Sequence, residues 1–173
     1  MPDLPIVAEG ENDRGEHWYL KAAGSPADYY TMLETLHPGG RRDEGGMGGA
    51  PLYPGSRYNS YVGRADDGPL RVIVRTDPGV RRLRLSIRTT RDETLDLLPL
   101  AEDPQVGLVF FATLLPQPTE LLSIQGFGDD GEPLPELTPS RPPAPPLDLG
   151  SVRDDDLVIL TWTVGSFRGW RGS

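Results

Sequence analysis

Between residues 70 and 127 the chain repeats one pattern, and that pattern leaves few folds open. Five runs, at 70–76, 81–88, 94–100, 106–114 and 120–127, are separated by turn chemistry. In the second run Leu83, Leu85 and Ile87 fall on one side and Arg82, Arg84, Ser86 and Arg88 on the other. Successive strand side chains point to opposite faces, so a period of two marks a half-buried strand. Leu70, Val72 and Val74 repeat the pattern with Arg71 and Arg75 opposite, and Leu95 and Leu97 continue it with Thr94 and Asp96 opposite. The run 106–114 is apolar on both faces, which predicts a central strand covered on both sides. Asp77-Pro78-Gly79-Val80 suits a type II turn, with Pro second and Gly third. Long helices have no room: 21 glycines and 19 prolines punctuate the 173 residues.

The expected fold is therefore all-β, an immunoglobulin-like antiparallel β-sandwich of about eight to ten strands. Two sheets are expected to enclose Trp18, Leu20, Val72, Val74, Leu83, Leu85, Ile87, Leu108, Phe110 and Ile124. Residues 1–132 form this domain, 133–150 a proline-rich connector, and 151–173 a C-terminal strand that completes the sheet or mediates assembly.

Upstream of the five runs, 5–8 reads as a short edge strand. Residues 16–23 read as a strand with Trp18, Leu20 and Ala22 on one face and His17, Tyr19 and Lys21 on the other. The segment 25–36 carries two signals. Ser25, Pro26 and Asp28 suit the start of a helix, and Tyr29, Met32, Leu33 and Leu36 have helical spacing. The same stretch is rich in β-formers and is placed to pair with the preceding strand, so strand is the assignment. Six glycines between His37 and Gly49 predict a mobile hairpin connection. Neither G-x-x-x-x-G-K-[ST] nor G-x-G-x-x-G is present to mark a phosphate loop. Residues 57–64 form another strand. Seven prolines fall between 133 and 146, and Ala144 interrupts the SH3-ligand pattern, so a stiff connector is expected. The run 157–164 is too apolar for a solvated tail, and Phe167 and Trp170 behind it are expected to cover the sheet end or to remain available to a partner.

Charge and composition narrow the function classes. A net charge of −9 argues against nucleic acid and anionic membrane as partners. With no cysteine, disulfides, zinc thiolates and thiol catalysis are excluded. No apolar run reaches the roughly 20 residues of a membrane span. The N-terminus lacks a basic start and an apolar signal core, which points to a cytoplasmic protein. Two histidines, His17 and His37, without H-x-x-x-H spacing, predict no metal site. His37 before Pro38 reads as a turn residue. No catalytic constellation and no cofactor motif is legible.

The arginines are the most suggestive feature. Arg71, Arg75, Arg82, Arg84 and Arg88 are expected to share the outer face of adjacent strands. Such a face can dock an acidic partner by steering and bidentate pairing, or it can be a solvated surface partly neutralised by Asp96.

The segment order resembles that of uncharacterised actinobacterial β-sandwich domains, over roughly residues 16–132. The matching features are the strand with Trp18, the strand at 29–34, the loop Gly45-Gly46-Met47-Gly48-Gly49-Ala50-Pro51, the strand at 59–63, the run 80–87, the pair Phe110-Phe111, and Asp130-Gly131. The resemblance implies the sandwich fold and no catalytic residues. Relatives of that kind are often exported or membrane-attached, and some carry cysteines near the positions held here by Met32 and Met47; this chain departs from that. The expected function is a non-catalytic protein-interaction or binding module. The alternatives are a structural subunit assembling as a homo-oligomer through its C-terminal strand, and a small-ligand or anion binder using the glycine-rich loop.

Overall fold

The structure, a computed structural model, describes residues 4–64 and 68–137 and the backbone of 161–162. Among these every regular element is a strand: β1 (Ile6–Glu11), β2 (His17–Gly24), β3 (Tyr29–Leu36), β4 (Arg42–Met47), β5 (Tyr58–Arg64) and β6 (Leu70–Thr76). These are followed by β7 (Arg82–Arg88), β8 (Asp92–Leu97), β9 (Ala101–Asp103), β10 (Leu108–Leu115), β11 (Glu120–Phe127) and the two-residue β12 (Thr161–Trp162). All pairings are antiparallel. Sheet A has the order β1-β2-β3-β4, sheet B the order β12-β5-β6-β10-β9, and sheet C the order β11-β7-β8.

Sheet B is the middle layer. Tyr58, Val72, Val74, Val109 and Phe111 leave one of its faces and meet Leu83, Leu85, Ile87 and Ile124 of sheet C. Tyr61, Ile73, Leu108 and Phe110 leave the other and meet Leu20, Ala22, Tyr29, Leu33 and Met47 of sheet A. Fully burying each aliphatic or aromatic side chain stabilises by roughly 1.5–3 kcal/mol, so both seams hold the layers together. The antiparallel β-sandwich is present, with a third sheet added. Trp18 is only half-buried, at the margin of the A–B core.

Four expectations are corrected. First, β6 is covered on both faces, because sheet A lies over the side that carries its arginines. Second, the glycine-rich stretch contains a strand, β4, over six of its residues. His37 and Arg41 close a tight turn in which Gly39 and Gly40 take φ of 96° and 88°, and β4 follows at once, paired to β3. Third, the beginning of the connector belongs to the sandwich. Ile124 and Leu137 exchange both backbone hydrogen bonds, at 2.9 and 2.8 Å, and Leu134 and Leu137 pack on the B–C core. Proline there ends regular pairing without preventing contact. Fourth, β8 starts at Asp92 and the run at 106–114 begins as a turn before β10.

The segment 25–36 is strand from Tyr29 onward. The helix-start chemistry is real but is used for a turn: Ser25 Oγ accepts from the amides of Ala27 (3.3 Å) and Asp28 (3.2 Å). All eight residues of β3 then pair with β2. Thr161 and Trp162 pair with Tyr61 and Ser60 at the β5 edge. The rest of the proline-rich stretch beyond 137, and Phe167 and Trp170, lie outside the described residues.

Candidate functional site

The five arginines do not share a face. Arg71 and Arg75 are each 1% exposed, on the sheet A side of β6. Like Arg82, Arg84 and Arg88 they alternate with apolar residues, but β6 pairs with β5 and β10 while β7 pairs with β8 and β11. Equal alternation in two different sheets sends one set into a seam and the other to solvent. Buried in that seam, Arg71 and Arg75 cannot reach a partner.

On sheet C the arginines are matched within the sheet. Arg84 donates from Nε and Nη2 to Asp96 at 2.7 and 3.0 Å, and Arg82 donates to the same carboxylate at 3.1 Å. The Arg82 guanidinium also lies 4.2 Å above the Phe127 ring. Arg88 donates to Asp92 at 2.8 Å and stands 3.7 Å from Glu120. The bond from Arg84 holds the Asp96 carboxyl below its ordinary range. Three arginines thus face three carboxylates, and exposed pairs of this kind contribute roughly 0–1 kcal/mol each. This face is self-neutralised.

The A–B seam contains a polar layer that the alternation did not reveal. Arg75 donates to the carbonyls of Tyr29 (2.9 Å) and Ala50 (3.2 Å), and burial pulls its pKa down to about 10. The Tyr29 hydroxyl donates to Asp103 at 2.6 Å; burial first, then that bond, pushes the phenol up. Arg71 Nη2 stands 3.6 Å from Asp43 Oδ2. From Asp43 a chain of contacts runs outward: to His37 Nε2 (2.6 Å), from His37 Nδ1 to Glu16 (2.9 Å), and from Glu16 to Asn12 and Arg14 (both 2.7 Å). Burial alone would raise the Glu16 carboxyl, but Asn12, Arg14 and His37 outweigh it and hold it below its ordinary range. His37 is thus more than a turn residue: its ring ties the start of β2 to the hairpin of β3 and β4. A cavity of about 150 Å³ lies alongside, lined by Asn12, Trp18, Leu33, Ala112, Thr113 and Leu114. Among the described residues no group of three or more acidic or histidine side chains is arranged to hold a metal ion, and no helix is long and apolar enough to cross a membrane.

The surface that sequence reasoning missed is the outer face of sheet A. Leu20, Ala22, Tyr29 and Leu33 point inward, so Tyr19, Lys21, Tyr30, Met32 and Glu34 point outward. Register sets Ile6, Lys21 and Met32 in one row and Glu9, Tyr19, Glu34 and Glu44 in the next. Ile6 is 52% exposed and Tyr30 46%. Glu34 is bound by Lys21 and by Arg42 (3.0 Å) and is buried between them. The outward positions of β2 and β3 hold Tyr19, Tyr30 and Met32, an apolar set visible once the inward set is known.

No protein-family model, curated protein or solved structure matches this chain.

Proposed function

We propose that this chain is a non-catalytic protein-interaction module, an immunoglobulin-like sandwich whose contact surface is the outer face of sheet A. The observation that carries the proposal is the apolar stripe of Ile6, Tyr19, Met32 and Tyr30 on a sheet face where no other described strand packs. Single exposed apolar side chains are ordinary, but four apolar side chains on one sheet face, with Lys21 between Ile6 and Met32, are not. Tyr and Met are enriched at the centres of protein interfaces, and a polar rim surrounds them. Glu9, Glu11, Arg42 and Glu44 supply that rim.

The other readings have less support. Assembly by strand exchange is disfavoured by Thr161 and Trp162 lying beside β5 of their own chain. An anion site in the glycine-rich stretch is disfavoured because Gly45 and Gly46 lie in the ladder with β3.

The test is site-specific photo-crosslinking in cells of the native host, with the reactive amino acid at position 30 or at position 86 on the outer face of sheet C. A discrete adduct is expected from position 30, lost when Ile6→Ser and Met32→Ser are added, with none from position 86. No adduct from position 30, or the same adducts from both positions, would overturn the proposal.

A further inference from the structure

We infer that the partner of sheet A is a protein segment with an apolar centre and a basic rim. This rests on the interaction reading above and adds the chemistry of the partner.

The anchor is already in place before binding. The Tyr30 ring lies over Gly48, where a Cβ would come within 2.7 Å of it, and its hydroxyl donates to Asp28 at 3.1 Å. A ring fixed at both ends loses little conformational freedom on contact, and pre-organised aromatics are the side chains on which interface energy concentrates. Met32, one strand position away on the same face, is a flexible thioether that fills irregular gaps beside such an anchor.

The charges around this stripe are not balanced. Glu34 is taken up by Lys21 and Arg42, and Glu11 lies 3.4 Å from the His17 ring. Glu9 and Glu44 have no ion-pair partner among the described residues. Both lie in the row of Tyr19, one on each edge strand of sheet A. A ligand seated on Tyr19, Met32 and Tyr30 therefore meets a free carboxylate at either side of the sheet. Complementary charge there steers encounter and rejects acidic competitors, and the net charge of −9 adds the same sign at long range. It also disfavours a second copy of this chain, which would bring the same unpaired carboxylates to the interface.

The test uses the intact chain labelled with ¹⁵N and three synthetic hexapeptides. Each alternates leucine and phenylalanine with a variable residue, which is lysine, serine or glutamate. The lysine peptide is expected to shift the amides of Glu9, Tyr19, Tyr30, Met32 and Glu44 most, with the serine peptide weaker and the glutamate peptide weakest. Glu9→Gln with Glu44→Gln is expected to weaken the lysine peptide about fivefold at low salt and to flatten its salt dependence, with melting temperature unchanged. Serine and lysine peptides of equal affinity on these amides would overturn the basic rim while leaving the interaction reading intact. All three peptides leaving sheet A unmoved would overturn both. A dimer in sedimentation equilibrium that dissociates on Tyr30→Ser would replace the basic partner with a second copy.

Discussion

Arg71 Nη2 stands 3.6 Å from Asp43 Oδ2 across the seam of two sheets, and no hydrogen bond joins them. The guanidinium is 1% exposed, and its Nε also has no hydrogen-bond partner. A buried charge held by one counter-charge depends on that counter-charge. Removing one member of such a pair costs roughly 3–5 kcal/mol, while replacing both by apolar groups is often neutral or better. Asp43→Ala is therefore expected to lower unfolding stability by about 3 kcal/mol. Adding Arg71→Met is expected to restore at least about 1 kcal/mol of it. Urea unfolding of the three proteins checks this. A double variant less stable than Asp43→Ala alone would show that Arg71 supports the fold through other contacts.

Gly45 and Gly63 exist to make room for Tyr61. A Cβ on Gly45 would lie 2.5 Å from the phenol oxygen, with ring carbon Cζ next at 3.1 Å. A Cβ on Gly63 would lie 2.3 Å from the oxygen and 2.5 Å from Cζ. Tyr61 is buried in the A–B core and cannot swing away freely. Either alanine is expected to cost roughly 1–3 kcal/mol by overpacking. The two differ in rescue. Tyr61→Phe removes the oxygen, so it is expected to relieve Gly45→Ala and to leave Gly63→Ala destabilised against the ring carbon. Melting temperatures of the single and double variants decide it, and equal rescue of both would sink the account.

How much of this was legible follows from what alternation measures. A period of two sorted Leu83, Leu85 and Ile87 from Arg82, Arg84 and Arg88 correctly, because β7 has one covered face and one open one. The same period at Arg71 and Arg75 was misleading, because it separates two faces without saying which layer lies over each. The hidden signal was small residues: Gly63 pairs with Arg71 in register, and Gly45 faces the same seam. The network of Glu16, His37 and Asp43 was out of reach, since it joins side chains separated by a turn and a hairpin. The stripe on sheet A was half visible, with Tyr19 assigned opposite Trp18, but Tyr30 and Met32 were obscured by the helical spacing of the same segment.

Acid is expected to weaken the fold at identifiable carboxylates. Asp77 accepts from Arg57 Nε (2.7 Å), Arg57 Nη2 (3.0 Å) and the Gly79 amide (2.7 Å). The bond from Arg57 chiefly holds the Asp77 carboxyl below its ordinary range, against a smaller effect of burial. Glu16 is lowered as well. A carboxyl lowered in the folded state binds its proton more readily when unfolded. Its contribution is therefore complete above the ordinary carboxylate value of about 4 and is lost as pH falls through the folded value. Melting temperature is expected to fall less steeply between about pH 5 and pH 3 in Asp77→Asn than in the parent. Parallel curves in calorimetry would show that Asp77 carries no pH-linked stability.

Residues 133–137 are expected to behave as part of the sandwich. Leu134 and Leu137 are half-buried against the B–C core, and the Tyr58 hydroxyl donates to the Pro135 carbonyl. The Leu134 amide donates to the Gly126 carbonyl at 2.8 Å, so the segment runs along the free edge of β11 and shields it. An uncovered edge would leave unpaired backbone groups to recruit another chain. Fully buried leucines lose roughly 2–5 kcal/mol on truncation to alanine, and half-buried ones less, so Leu137→Ala and Leu134→Ala are each expected to cost about 1–2 kcal/mol. Leu98, 69% exposed, supplies the control. Leu98→Ala is expected to stay within about 0.5 kcal/mol of the parent. If Leu134→Ala and Leu137→Ala match Leu98→Ala in urea unfolding, residues 133–137 are a spacer after all, and the edge of β11 must be protected by something else.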